Sequence, residues 1–76
     1  MTYSLIIHKN KHQASYVNDI NAWSDVTDYL KNRLTLYVIG VTILKVSSDN
    51  KVLGERYVTM SNLFKVANSK NDKVLI

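Results

Sequence analysis

The 76-residue chain has no cysteine, no proline and only two glycines, Gly40 and Gly54. Without thiols there can be neither a disulfide nor a thiolate metal site, and a reducing cytoplasm is the expected setting. With so little proline and glycine, the turns fall to Asn, Asp and Ser, which tolerate left-handed or self-capped backbone. These residues cluster in "HKNKHQ" near residue 10, "SSDN" at 47–50 and "NSKND" at 68–72. Glu55 is the only glutamate. Long apolar runs are also missing. The greasiest stretch, "LTLYVIGVTILKV" from Leu34 to Val46, follows Arg33 and contains Lys45. It falls short of the roughly 20 apolar residues a helix needs to span a bilayer, so no membrane role is expected. The opening "MTYSLIIHKN" has only Leu5, Ile6 and Ile7 as an apolar core, with no basic residue before it, and does not read as a secretory signal.

What is present is globular in character. Apolar residues make up 46% and charged residues 21%, and the net charge is +4. Such a charge permits an acidic partner without requiring one. Residues 1–76 are expected to form a single domain, small enough that its core is marginal unless packing or self-association helps.

The hydrophobic period changes along the chain. Thr2–His8 alternates, with Tyr3, Leu5 and Ile7 on one side, and predicts a strand. "QASYVN" extends it, as the second arm of a hairpin or as one long bent strand. Ala22, Trp23, Val26, Tyr29 and Leu30 then recur at helical spacing, predicting a helix over residues 20–32 that Asp19 or Asn21 can cap. Leu34–Val46 is rich in β-branched residues and reads as a central strand. "KVLGERYVTM" returns from "SSDN" as its antiparallel partner. "SNLFKVANS" reads as a short helix capped by Ser61, and "KVLI" as a last strand. The expected class is α+β: a small antiparallel sheet of three to four strands with one main amphipathic helix and a short second helix. The element order β-α-β-β-α-β suggests the ferredoxin-like split arrangement. A hairpin at the start would reduce it to a plainer antiparallel sheet under a covering helix.

The central strand is apolar on both faces, and the chain has too few helices to cover both. We expect the side of Leu36, Val38, Gly40, Thr42 and Leu44 to face the helix, with Gly40 making room for Trp23. The side of Tyr37, Ile39, Val41 and Ile43 is then left for the chain ends, a second copy or a partner. Large apolar patches on soluble proteins mark interaction sites. Tyr37, Ile39, Val41 and Ile43, with Tyr57, are therefore the candidate partner-binding residues.

Catalytic patterns are weak. His8 and His12 have helical metal-pair spacing, but they sit in a strand and a loop without a third ligand. Asp25 and Asp28 suit a helix start better than an acid–base pair. Ser24 beside Asp25 has no histidine placed to complete a triad. No metal, no cofactor and no enzymatic activity are expected. Basic residues gather in three places: Lys9, Lys11 and His12 in the first loop, Arg33 after the helix, and Lys65, Lys70 and Lys73 towards the tail. They offer a nucleic-acid alternative, with Tyr37 or Tyr57 as stacking platforms. The leading expectation is a small non-catalytic protein-interaction module that binds a protein partner or forms a homodimer. Lys-, Asn- and Ile-rich usage is compatible with an AT-rich genome such as that of a bacteriophage or another mobile element, where inhibiting a host factor would be a natural use.

Overall fold

The alternation of Tyr3, Leu5 and Ile7 forms a strand with one buried side. In a computed structural model, which describes residues 1–34 and 38–75, β1 (Thr2–His8) buries these three residues and leaves Thr2, Ser4, Ile6 and His8 half covered. The next residues turn back on themselves. The backbone amides of Lys9 and Asn10 donate to the Gln13 carbonyl, and the Asn10 side chain accepts from the His12 amide at 2.8 Å. β2 (Ala14–Ile20) then returns antiparallel to β1, so the first segment is a hairpin.

Between the pairs Leu5–Val17 and Tyr3–Ile20, β2 carries one residue more than β1. Asp19 sits in this bulge at φ 61, left-handed backbone that aspartate tolerates better than most residues. Neither Asp19 nor Asn21 caps the helix as predicted. α1 (Trp23–Asn32) starts from Ala22, which has no capping side chain. The predicted stripe does form, with Trp23, Val26 and Leu30 buried. Asp25 in the first turn and Lys31 in the last complement the helix dipole.

β3 (Gly40–Val46) and β4 (Val52–Thr59) make the second hairpin. Its turn closes through the Ser47 amide and the Lys51 carbonyl at 2.8 Å, with Asn50 at φ 65. α2 (Met60–Ala67) follows β4 directly; its N-cap is Thr59 rather than Ser61. The sheet order is β2-β1-β3-β4 with every pair antiparallel. The β-α-β-β-α-β order is thus not what forms. An extra strand precedes α1, and Lys73, Val74 and Leu75 of "KVLI" are not in a strand, Ile76 lying outside the described residues. Instead Asp72–Val74 form one turn of 3-10 helix, started by the Asn71 side chain accepting from the Lys73 amide.

That last turn is tied down under the sheet. Asp72 accepts a hydrogen bond from the Tyr3 hydroxyl at 2.6 Å and pairs with the Lys45 ammonium at 2.7 Å. Arg56 donates to the Val74 carbonyl at 3.3 Å, and Leu75 lies over Gly54. Lys45 and the Tyr3 hydroxyl hold the Asp72 carboxyl below its usual range. Burial first, and then Asp72 itself, push the Tyr3 phenol up from 10.0 to about 12.

Both helices lie on one face of the sheet. The core joins Tyr3, Leu5, Ile7, Val41, Ile43 and Val58 to Trp23, Val26, Leu30, Leu63, Val66 and Ala67. This reverses the face expected for β3. Val41 and Ile43 are fully buried beneath the chain's own helices and cannot dock a partner. The cause is register. Val41 pairs with Ile7 and Ile43 with Leu5, and directly opposed residues in antiparallel strands point the same way. β3 is also shorter than predicted, beginning at Gly40. Among the described residues, no helix is long and apolar enough to cross a membrane.

Candidate recognition face

The face without helices carries its own cross-strand pattern. Register aligns Tyr16, Ile6, Thr42 and Tyr57 in one row across all four strands. Ala14, His8, Gly40 and Thr59 form the next row, and Ser4, Leu44 and Glu55 lie on the other side. Tyr16 is 67% exposed and Tyr57 51%. The two tyrosines are three strand spacings apart, roughly 14 Å. Val52 and Leu53, at a bulge where β4 begins, extend the exposed apolar surface towards the second hairpin turn.

Gly40 belongs to this face and not to the helix side. The Tyr57 ring lies across it, and a Cβ at Gly40 would overlap the Tyr57 hydroxyl and the ring carbon that bears it. The same ring meets His8 edge-on, with centroids 5.5 Å apart. His8 Nε2 is in turn 2.9 Å from Thr42 Oγ1. Gly40, His8 and Thr42, from β1 and β3, thus hold Tyr57 in one place on the sheet. Trp23, for which Gly40 was expected to make room, packs elsewhere. It meets Tyr3 edge-on at 5.6 Å and donates to the Ser69 carbonyl at 3.2 Å.

Charge is arranged around the face rather than on it. Of the described strand residues on this side, none is lysine or arginine, and the acids are Glu55 and, in the bulge opposite Ser4, Asp19. At one end the Lys9–Gln13 loop brings Lys11 and His12 beside Ile6, His8 and Tyr16 in a shallow depression. Lys9 and Arg33 line a groove on the helix side of the sheet with Ile7, Ser15 and Tyr29, Arg33 also borders a depression holding Asp25 and Asp28, and Lys31 lines the cleft between α1 and α2. Neither the loop nor the last turn of α1 contains an acid. The ion pairs among the described residues, Lys45–Asp72 and Lys51–Asp49, both lie towards the other end.

The predicted site residues separate accordingly. Tyr57 is on the open face. Lys11 and His12 lie at one end of it, while Lys9 and Arg33 line a groove on the helix side of the same end. Lys65 is exposed on α2, while Lys70 and Lys73 follow α2 at the opposite end from that cluster. Ile39 is 51% exposed, just before β3, where its amide donates to the His8 carbonyl at 2.9 Å. Tyr37 lies outside the described residues. Sequence reasoning missed Tyr16, Ile6 and His8 as surface residues of one face. It also missed Phe64, 79% exposed on α2 beside Met60 and Leu63. One signal was available: Gly40 and Thr42 share a side of β3, and small or polar residues mark the side that stays wet. His8 and His12 line one depression, yet among the described residues no group of three His, Asp or Glu side chains is placed to hold a metal ion. Compared with protein-family models, with curated proteins and with solved structures, the chain matches none.

Proposed function

We propose that this chain is a small non-catalytic protein-interaction module that docks through the helix-free face of its sheet. The observation that carries this reading is the row Tyr16–Ile6–Thr42–Tyr57 on a face its own helices leave uncovered. Four strands of about seven residues present roughly 450 Å² in projection. The apolar members of this face, Ile6, Tyr16, Leu44, Val52 and Tyr57, sit among Thr2, Ser4, His8, Thr42, Glu55 and Thr59, and exposed apolar groups gathered on one face mark interaction sites. Tyrosine suits such a surface, because a large rigid ring gives contact area at little conformational cost. Inhibition of a host factor by a mobile-element protein is the use that fits the composition, and a cytoplasmic setting fits a chain without cysteine.

The test is affinity capture from the cells that make the protein, with light scattering of the purified chain across a concentration series. Tyr16→Lys and Tyr57→Lys should each abolish capture, or dissociate a dimer, while Phe64→Ser leaves either intact. Binding that survives both tyrosine changes and fails in Phe64→Ser would move the site to the helices and refute the reading.

Nucleic-acid binding is the second reading, favoured by Lys11 and His12 beside the exposed Tyr16 ring. Its signature would be a gel shift at low salt that fades steeply as salt rises.

A further inference from the structure

We infer that residues 70–75 form a strap that opens and closes as one unit while the four-stranded sheet stays folded, latched by the Asp72 carboxylate. Burial, backbone bonding and the placing of the polar ties all lead there. First, the segment adds nothing to the sealed core. None of Asp72–Val74 is buried, and Val74 and Leu75 are half covered against the core's margin. Second, among the described residues the segment's backbone makes no hydrogen bond to a strand backbone. The Lys73 and Leu75 amides bond inside the turn, to Asn71 Oδ1 and to the Asp72 carbonyl. An element with little burial and no ladder to its support opens more readily than strands that have both. Third, the strong ties converge. The Tyr3 hydroxyl from β1 and the Lys45 ammonium from β3 meet the same carboxylate oxygen, Asp72 Oδ2. Removing the charge on that one group loosens both strands' hold together. The other ties are lighter. The bond from Arg56 to the Val74 carbonyl is exposed and 3.3 Å long, and Leu75 rests on Gly54, which has no side chain to grip it. Upstream, the Trp23 indole holds the Ser69 carbonyl at 3.2 Å, and the Ser69 hydroxyl donates to the Val66 carbonyl at the end of α2. The moving part therefore begins beyond Ser69, at the exposed Lys70 and Asn71. Opening bares the Tyr3 hydroxyl and Lys45 on the helix side of the sheet and leaves the face of Tyr16 and Tyr57 as it was.

The experiment is native-state hydrogen exchange of the whole chain, read by NMR across a series of urea concentrations below the unfolding transition. The Leu75 amide should be protected at least about a hundredfold less than those of Val41 and Ile43, and urea should hardly change its rate. The Val41 and Ile43 amides should speed up steeply with urea, because they exchange through unfolding of the sheet. Asp72→Asn should raise the Leu75 exchange rate about tenfold, and Lys45→Met should raise it less. The double change should add little to Asp72→Asn alone, since both act through one carboxylate. A Leu75 amide that exchanges at the rate and with the urea dependence of Val41 and Ile43 overturns the inference, because the strap would then open only when the whole fold does. So does an Asp72→Asn chain with unchanged Leu75 exchange, or single effects that multiply in the double variant, because the carboxylate would then not be the latch. The urea series uses the natural chain alone, so it decides the matter even where a variant fails to fold.

Discussion

Gly40 and Tyr57 act as a matched pair. The glycine gives the ring a flat seat, and the ring covers backbone that glycine would leave bare, a cross-strand arrangement known to compensate for strand glycine. Gly40→Ala should therefore displace Tyr57 without unfolding the protein. The ring-current shift on His8 protons should vanish in NMR spectra, while stability changes by no more than about 1 kcal/mol, because glycine is itself unfavourable in a strand. Unchanged His8 shifts would show that the ring does not depend on that seat. Tyr3 makes a different commitment. Its phenol is raised to about 12, so the neutral form is favoured in the folded state. The associated stability is fully present below pH 10 and is lost as pH rises from there towards 12. Tyr3→Phe should flatten that alkaline limb in denaturant midpoints measured against pH.

At the scale of elements, the turn Asp72–Val74 works as a strap across the sheet's helix side. Asp72→Ala removes a hydrogen bond to a carboxylate and a half-buried ion pair together, a loss of about 1–3 kcal/mol in urea unfolding. Because the Asp72 carboxyl is held below 3.8, its contribution is present above that value and disappears as pH falls through the lowered folded pKa. Asp72→Asn should thus lose the acid limb of the stability profile that the natural chain shows. The strap also shows where sequence reading runs out. "KVLI" has strand composition, but composition does not reveal that Asp72 will meet Tyr3 and Lys45, residues far away in the chain. The helix α1 was legible because its stripe is local, at spacings of three and four. The second hairpin was legible from its "SSDN" turn, whereas the first was one of two readings that "QASYVN" left open. The phase of β3 was not, because both of its sides are apolar. It is fixed only by pairing Val41 with Ile7 and Ile43 with Leu5. Of the candidate site, Tyr57 and the Lys9–His12 loop could be named from sequence. Tyr16 and Ile6 emerged as their neighbours only once four strands were in register.

For the molecule as a whole, the two faces of the sheet carry opposite expectations. A domain of 76 residues has roughly 4–11 kcal/mol of stability in total. Ile43→Ala, in the core, should cost about 2–5 kcal/mol and leave a large unfolded fraction in thermal melts. Tyr57→Lys and Phe64→Ser, on the surface, should stay within about 1 kcal/mol of the natural chain. If Tyr57→Lys instead collapsed the fold, the open face would be core in some assembly already present in solution.

The bond between Tyr3 and Asp72 joins positions 69 residues apart. Whatever precedes the first strand and whatever follows the final turn must therefore leave from a single pole, far from the lysine-bearing loop. Fluorophores, tethers or immobilising resins fixed at either terminus would all hang from that pole, and the tyrosine-bearing surface would stand clear of them.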